Sequence, residues 1–152
     1  MLVNIFMLVV FVFVGYVFYA IYKMAMGSSG SAPMPKYNFI NEDKRPNGLN
    51  IGVLKKGSGP GVNPRSTITV HYRAKLKNGK EVDSSFKKGG PTVFKMGCGQ
   101  LIKGWEEGLI GMQVGEKRIL VVPSSLAYGS QGSADIPKGA DLNFEIELLS
   151  IS

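Results

Sequence analysis

Hydrophobic and polar residues alternate most regularly in the middle of the chain, in the stretch TITVHYRAKL at residues 67–76. Apolar side chains occupy every second position from Ile68 to Leu76, and polar or charged side chains occupy the positions between them. Because successive side chains of a strand point to opposite faces of a sheet, this pattern predicts a half-buried antiparallel strand. Asn78-Gly79 follows, a pair that tolerates the positive φ angles of a tight hairpin turn, so KEVDSSF is predicted to return as the next strand.

Further along the chain, a helical pattern lies among additional strands. The segments LNIGVLKKG, PTVFKM, RILVVP and DLNFEIELLSI each predict a strand. Between PTVFKM and RILVVP, apolar residues recur at spacings of three or four, the period of one helical face: Ile102, Trp105, Leu109 and Met112. Three glycines in the same stretch each cost a helix roughly 0.5–1 kcal/mol, so the helix should be short. Strands, one short helix and more strands predict an α+β domain in which the helix covers one face of the sheet.

The amino-terminal run LVNIFMLVVFVFVGYVFYAIY, residues 2–22, contains no charged residue. As a helix, a run of this length would reach about 31 Å, close to the thickness of a bilayer hydrocarbon core. Residues 1–23 are therefore predicted to form a transmembrane anchor. A cleaved secretory signal is the alternative, although no Lys or Arg precedes the run and the run is longer than a signal sequence needs.

The anchor is predicted to be followed by a flexible linker at residues 24–46, rich in Gly, Ser, Ala and Pro, and then by a folded domain at 47–152. All positive charges lie after the run, which favours a single-pass protein with its domain on the cytoplasmic side. If the run is cleaved, the domain would instead be lumenal, periplasmic or secreted.

Charge and reactive side chains narrow the classes of function. Seventeen of the 18 Lys and Arg and all 11 Asp and Glu follow the predicted anchor at residues 1–23, a net charge of +6 after it. These bases are scattered without a run of five, so nucleic acid is not an expected partner. Cys98 and His71 are the only residues of their types, too few for a metal-ligand set, and no cofactor is expected. The alternation places His71 on the face opposite Tyr72, where a structural or surface role is expected.

Four spaced motifs carry a resemblance to a known family: VHYRAKLKNGKEVDSS, GQLIKGWEEGLIGMQVGEKR, VVPSSLAYGSQG and IPKGADLNFEIELLSI. Together they make residues 48–152 similar to the FKBP-type peptidyl-prolyl cis–trans isomerases. The resemblance implies a five- or six-stranded antiparallel sheet wrapped around one short helix, with an apolar pocket between them.

The resemblance also implies roles for individual residues. It assigns catalysis to Asp83, Tyr128, Trp105 and Ile102, and substrate binding to Tyr72, Val82, Leu101, Ile136 and Phe144. Trp105 would be the floor of a proline pocket, the Ile102 N–H and the Tyr128 hydroxyl would donate to ligand carbonyls, and Phe94 is expected in the core. Without the surrounding motif, Trp105 would be read as a core residue, the commoner role of a lone aromatic at helical spacing, and the alternative for Asp83 is a cap of the turn before Ser84-Ser85.

Three positions differ from the family pattern: Val82 and Thr92 where aromatic residues are usual, and Gln100 where a glutamate is usual. They imply a wider pocket that binds the macrolides tacrolimus and rapamycin with reduced affinity. The implied function is isomerisation of X–Pro bonds in proline-containing segments of client proteins, through stabilisation of the twisted amide, by an enzyme tethered to a membrane. The alternative is a weakly active or inactive FKBP-fold module that binds a protein partner at the membrane.

Overall fold

The computed structural model describes residues 35–152. The predicted anchor at 1–23, and the predicted linker up to residue 34, lie outside these residues. From residue 35 onward, no helix is long and apolar enough to cross a membrane.

The described residues form nine strands, one α-helix and one short 3-10 helix. In chain order they are β1 (Asn41–Lys44), β2 (Asn50–Lys55), β3 (Ser58–Gly61), β4 (Thr67–Leu76), β5 (Glu81–Ser84), β6 (Thr92–Lys95), α1 (Lys103–Gly108), β7 (Gln113–Val114), β8 (Lys117–Val122), the 3-10 helix (Ser124–Leu126) and β9 (Leu142–Ile151).

The main sheet is antiparallel, with the strand order β1-β2-β8-β9-β4 and both β5 and β6 on the remaining side of β4. β5 pairs with residues 73–75 of β4, and β6 pairs with residues 67–70. Seven strands therefore occupy six positions, because the loop between β5 and β6 interrupts one edge. This agrees with the predicted antiparallel sheet around one short helix.

One face of the sheet carries the hydrophobic core. The alternation predicted for β4 is confirmed, since Ile68, Val70, Tyr72 and Ala74 are at most 4% exposed. Alternate residues of β8 and β9 extend this surface: Leu120, Val122, Leu142, Phe144, Ile146 and Leu148. Helix α1 packs on it through Trp105, and Leu109 at its carboxyl end is also fully buried.

The glycines of α1 have a structural explanation. A Cβ atom on Gly104 would lie 2.4 Å from Cγ1 of Val122, and one on Gly108 would lie 2.8 Å from Cδ1 of Leu120. Both distances are too short for real carbon contacts. The glycines therefore let the helix approach β8 more closely than any residue with a side chain would permit.

The sheet begins earlier than the predicted domain boundary at residue 47. Strand β1 lies inside the segment predicted as linker and pairs with β2 from Asn41 opposite Val53 to Lys44 opposite Asn50. All four side chains of β1 are exposed, so no hydrophobic period marks the strand in the sequence. Just before it, the ring of Phe39 lies over Gly52, where a Cβ would be 2.2 Å from the ring.

The GSGPG segment at residues 57–61 has the composition of a loop but forms part of a strand pair. Its residues Ser58–Gly61 form β3, which pairs with β7 in a separate two-stranded sheet. Glycine and proline are poor strand formers, so propensity alone indicates a loop here, and the pairing depends on the partner segment that follows α1.

Candidate functional site

A cavity of about 560 Å³ opens on the core side of the sheet. Its lining comes from β4, β5, β6 and β9, from the start of α1 and the loop before it, and from the segment around the 3-10 helix. The volume is within the range of about 300–1,000 Å³ typical of small-ligand sites. The cavity lies where the helix meets the sheet, and residues distant in sequence converge there.

Trp105 forms the floor of this cavity. Its side chain is 3% exposed, and its ring makes edge-on contacts with Tyr72, Phe94 and Phe144, each with ring centroids 5.4 Å apart and interplanar angles between 79° and 87°. Edge-to-face pairs of this kind hold aromatic rings in defined orientations. The indole is therefore fixed on three sides while the cavity remains open above it.

Hydrogen-bond donors in the cavity are left without partners. The buried indole Nε1 of Trp105 has no acceptor among the described residues. The backbone N–H of Ile102, immediately before α1, likewise donates no backbone hydrogen bond within residues 35–152. Ile102 is half-buried at the cavity wall, so its N–H is available to a ligand carbonyl, whereas the indole Nε1 is too deeply buried for a ligand to reach.

The rim of the cavity carries a three-residue hydrogen-bonded cluster. The Tyr72 hydroxyl donates to Oδ2 of Asp83 at 2.8 Å, and Nζ of Lys88 donates to the Tyr72 oxygen at 2.7 Å and to Asp83 Oδ2 at 3.2 Å. The carboxylate is thereby held between a phenol and an ammonium group. Asp83 does not cap the following turn, where Oγ of Ser84 instead accepts from the Lys87 N–H.

The cluster changes the proton affinities of two of its members. Burial raises the pKa of the Tyr72 phenol because it disfavours the phenolate, and the hydrogen bond to Asp83 adds to this while that from Lys88 opposes it. The pKa of Lys88 is also raised, chiefly by its hydrogen bond to Tyr72 and further by that to Asp83. The rim therefore keeps a neutral phenol and a charged ammonium at neutral pH.

The structure brings most of the predicted site residues together. All four residues assigned to catalysis line the cavity: Asp83, Tyr128, Trp105 and Ile102. Three of the five residues assigned to substrate binding also line it: Tyr72, Leu101 and Phe144.

Two predicted binding residues, Val82 and Ile136, lie outside the cavity lining and pack, half-buried, against the core. Val82 is the extra residue of a β-bulge, because Ala74 pairs with Asp83 while Lys75 pairs with Glu81. A bulge re-aims the side chains around it, which an alternation pattern does not reveal. Ile136 belongs to an irregular loop, where it bridges to Ser133.

Seven further residues line the cavity without having been predicted as site residues, and two of them contact predicted ones. Phe94 was expected in the core, but it lies against Trp105 and lines the cavity as a wall. Lys88 carried no signal in the sequence, although it follows Asp83 by five residues in a loop that returns to the same rim. A lysine among other surface lysines is recognisable as a site residue only when its contacts are known.

His71 lies on the opposite face of the sheet, as the alternation predicts. Its ring stacks on Phe86 with centroids 4.5 Å apart, and Nδ1 lies 2.9 Å from Oγ of Ser85. The histidine therefore helps to hold the loop that follows β5 and does not enter the cavity.

Comparison with known proteins connects this geometry to a family. Residues 59–149 match the family model described as FKBP-type peptidyl-prolyl cis-trans isomerase. The chain belongs to the FKBP-type isomerases. Within the family, it is similar to the peptidyl-prolyl cis-trans isomerase FKBP2 of Mus musculus, at 49% identity over 106 residues that cover 68% of this chain and 76% of the relative.

Two further FKBP proteins support the assignment. The peptidyl-prolyl cis-trans isomerase FKBP15-2 of Arabidopsis thaliana is 55% identical over 87 residues, 57% of this chain, and the match spans about half of that relative, 53% of its length. The crystal structure of AtFKBP13 is similar with a TM-score of 0.68 and 36% identity, covering 74% of this chain and 99% of that one. The FKBP-like sheet with one short helix is thus shared with a solved structure.

Proposed function

We propose that the domain catalyses cis–trans isomerisation of X–Pro bonds by seating the prolyl ring on Trp105. The observation that carries this proposal is the cavity itself, an indole floor with three aromatic neighbours set edge-on to it. A pyrrolidine ring is compact and apolar, and it suits such a floor. The substrates would be proline-containing segments of client proteins.

Rotation of an X–Pro amide depends on the polarity of its surroundings more than on a reactive side chain. An X–Pro amide rotates over tens to hundreds of seconds because the rotation disrupts the resonance of the planar bond. The twisted amide is less dipolar than the planar one, so an apolar cavity disfavours the planar state more than the twisted state. This is stabilisation of the transition state relative to the bound ground state.

Hydrogen-bond donors at the cavity would hold the chain on either side of the rotating bond. The Ile102 N–H, which makes no backbone hydrogen bond within the described residues, would donate to one substrate carbonyl. The Tyr128 side chain lines the cavity and is 39% exposed, so its hydroxyl would serve a second carbonyl. Holding both flanks restricts the motion to the bond that must rotate.

The three positions that differ from the family pattern bear on the affinity of the cavity for macrolides. Thr92 lies outside the lining, Val82 packs on the core, and Gln100 contributes a neutral polar group to the lining. These features support weaker binding of tacrolimus and rapamycin than a pocket with additional aromatic walls would give.

The apolar run at residues 2–22 supports a further part of the proposal, tethering to a membrane. In this arrangement residues 1–23 are the anchor, and the membrane is a partner through that segment. The distribution of basic residues favours a cytoplasmic domain. If the segment is a signal that is removed, the same domain would act in a lumen, a periplasm or outside the cell.

An exchange measurement tests the isomerase proposal. Magnetisation-exchange NMR on a proline tetrapeptide, with the full chain in detergent micelles, is expected to show interconversion faster than in micelles alone. A Tyr128→Phe variant should be slower than the unaltered protein while its Tm is unchanged. If a folded protein binds the peptide without accelerating exchange, the function is that of a non-catalytic binding module.

A further inference from the structure

We propose that His71, on the sheet face opposite the cavity, is a positioning residue for the isomerase, because it holds the loop that brings Lys88 to the cavity rim. The inference rests on the proposed isomerase function and adds a residue to it. His71 lies outside the cavity lining, so it acts on the site only through the loop at residues 85–90.

The first contact joins His71 to the start of this loop. Ser85 is fully buried, and its Oγ lies 2.9 Å from Nδ1 of His71 and accepts from the Tyr72 N–H at 3.0 Å. The Ser85 carbonyl in turn accepts from the N–H groups of Lys88 and Gly90, both at 3.1 Å. The loop therefore closes on the residue that the imidazole contacts.

The second contact is an aromatic stack on the next residue of the loop. The Phe86 ring is nearly parallel to the imidazole of His71, at an angle of 3° with centroids 4.5 Å apart. The guanidinium carbon of Arg73 lies 4.8 Å from the centre of the same ring. Although Phe86 is 53% exposed, it is thereby held against the outer face of β4. Two successive loop residues thus contact one imidazole.

The same loop reaches the cavity through Lys88, three residues after Ser85. Nζ of Lys88 donates to the Tyr72 oxygen at 2.7 Å and to Oδ2 of Asp83 at 3.2 Å, although about half of the lysine side chain is exposed. A lysine side chain loses rotamer freedom when it is held in one place, so these hydrogen bonds depend on a fixed backbone. His71 provides part of that support from the other face of the sheet.

The size of the effect is limited by the free energy of the contacts. A contact can shift the loop between two positions by no more than the free energy that it contributes. A hydrogen bond is worth a factor of about two to ten in an equilibrium constant. We therefore expect His71→Ala to lower kcat/KM for a proline tetrapeptide by about two- to tenfold.

Two further variants separate this effect from a general loss of stability. His71→Asn keeps an amide group near the position of Nδ1 and should restore most of the activity that His71→Ala loses. Thr69→Ala is the matched control, two residues earlier on the same face of β4, where its neighbours are Val93 and Ser150 of the adjacent strands. It should leave kcat/KM within about twofold, as measured by NMR exchange with the full chain in detergent micelles.

A double-mutant comparison shows whether His71 acts through Lys88. In a Lys88→Ala background, His71→Ala should have little further effect on kcat/KM, because the group that the loop positions is already absent. An equal loss in both backgrounds would overturn the inference while leaving the isomerase function intact. Unchanged activity of His71→Ala in the unaltered background would also overturn it.

The phenol of Tyr72 reports the position of the loop without a measurement of activity. The hydrogen bond from Lys88 opposes the rise that burial causes in the pKa of Tyr72, so displacement of Lys88 should raise this pKa further. In 13C NMR of tyrosine-labelled protein, the Tyr72 signal is identified by its loss in Tyr72→Phe. Its alkaline titration should move to higher pH in His71→Ala and stay unchanged in Thr69→Ala.

The two measurements distinguish the possible failures. If the Tyr72 titration is the same in His71→Ala as in the unaltered protein, the inference fails whatever the activity. If the titration moves but no peptide is accelerated by the unaltered protein, the isomerase function fails while the support of the rim by His71 stands.

Discussion

At the scale of single residues, Trp105 is both buried in the core and part of the cavity lining. Trp105 is almost fully buried, yet its Nε1 has no partner within the described part of the chain and its ring faces a cavity. The ring lines an open cavity and is held edge-on by three aromatic side chains. This geometry favours a binding role for Trp105 over a purely structural one.

The carboxylate of Asp83 should matter for activity much more than for folding. Asp83→Ala removes the group that orients the Tyr72 hydroxyl and Lys88 at the rim. Hydrogen bonds that involve charged groups are worth about 1.5–3 kcal/mol, so we expect kcat/KM to fall by roughly tenfold or more. Stability should change little, because the Asp83 side chain is 41% exposed.

Glu81 provides a matched control for this change. It is a second carboxylate of β5, it pairs with Arg73 and Lys87, and it lies outside the cavity lining. Glu81→Ala should leave kcat/KM within about twofold of the unaltered protein, as is usual for surface substitutions. Similar losses of activity in the two variants, measured beside their Tm values, would contradict a specific role for Asp83.

The raised pKa values of Tyr72 and Lys88 make stability depend on pH above about 10. A folded-state pKa above the unfolded one means that the folded protein binds the proton more tightly. This contribution is complete below the unfolded pKa and is lost as pH rises through the folded pKa. Urea unfolding between pH 8 and 11 should show a free energy of unfolding that falls at the alkaline end.

Tyr72→Phe should make this alkaline decline shallower, because it removes one titrating group and the hydrogen bond that chiefly raises the pKa of Lys88. Tyr37 also has a pKa raised by burial and by Glu145, but it is present in both proteins and cancels in the comparison. Parallel curves for the two proteins would show that the rim cluster does not contribute.

At the scale of elements, helix α1 illustrates a conflict between local propensity and packing. Its glycines weaken an isolated helix, and the sequence accordingly indicates a short one. The structure shows that Gly104 and Gly108 lie directly against Val122 and Leu120 of β8. The close packing of α1 on β8 positions Trp105, and it outweighs the helix propensity that the two glycines cost.

Gly104→Ala discriminates between these two effects. Helix propensity alone predicts that the free energy of unfolding rises by about 1 kcal/mol, whereas overpacking against Val122 predicts that it falls by about 1–3 kcal/mol. We expect a net loss in the free energy of unfolding by urea. In a Val122→Ala background, which removes the atom 2.4 Å from the added Cβ, the same change should be neutral or favourable. A single Gly104→Ala variant more stable than the unaltered protein would contradict the packing explanation.

The strands divide into those that a pattern reveals and those that only pairing creates. β4 and β9 alternate clearly because one face of each is buried. β1 has four exposed side chains and β3 has the sequence SGPG, so neither strand shows an alternation of hydrophobic and polar residues. Their backbones are extended because a neighbouring strand offers hydrogen bonds, a circumstance that lies outside the segment itself.

At the scale of the whole molecule, the apolar run predicts how the full chain partitions between membranes and solution. The full chain should remain in the membrane fraction after alkaline carbonate extraction. Val12→Arg combined with Val14→Arg should release it, because each arginine near the centre of a span costs about 2.5–3.5 kcal/mol. Ser28→Arg combined with Ser29→Arg adds the same charge within the linker and should leave the protein in the membrane fraction.

The mass of the mature protein separates the two interpretations of this segment. A retained anchor predicts the mass of the complete chain, whereas a cleaved signal predicts a shorter chain that starts beyond the apolar run. Recovery of the unaltered full-length chain in the carbonate supernatant would contradict the anchor.

By itself, the sequence determined the α+β class, the antiparallel hairpin and the short helix, and its resemblance to the family assigned nine site residues, of which seven line the cavity. These features are local or carried by spaced motifs, and burial of one face repeats along a strand in a way that a pattern records. Only the tertiary structure decided that Val82 is turned aside by a bulge, that Phe94 is a wall, and that Lys88 closes the rim beside Asp83. Each of these depends on contacts between segments far apart in the chain or across a loop, where no single stretch of residues contains the information.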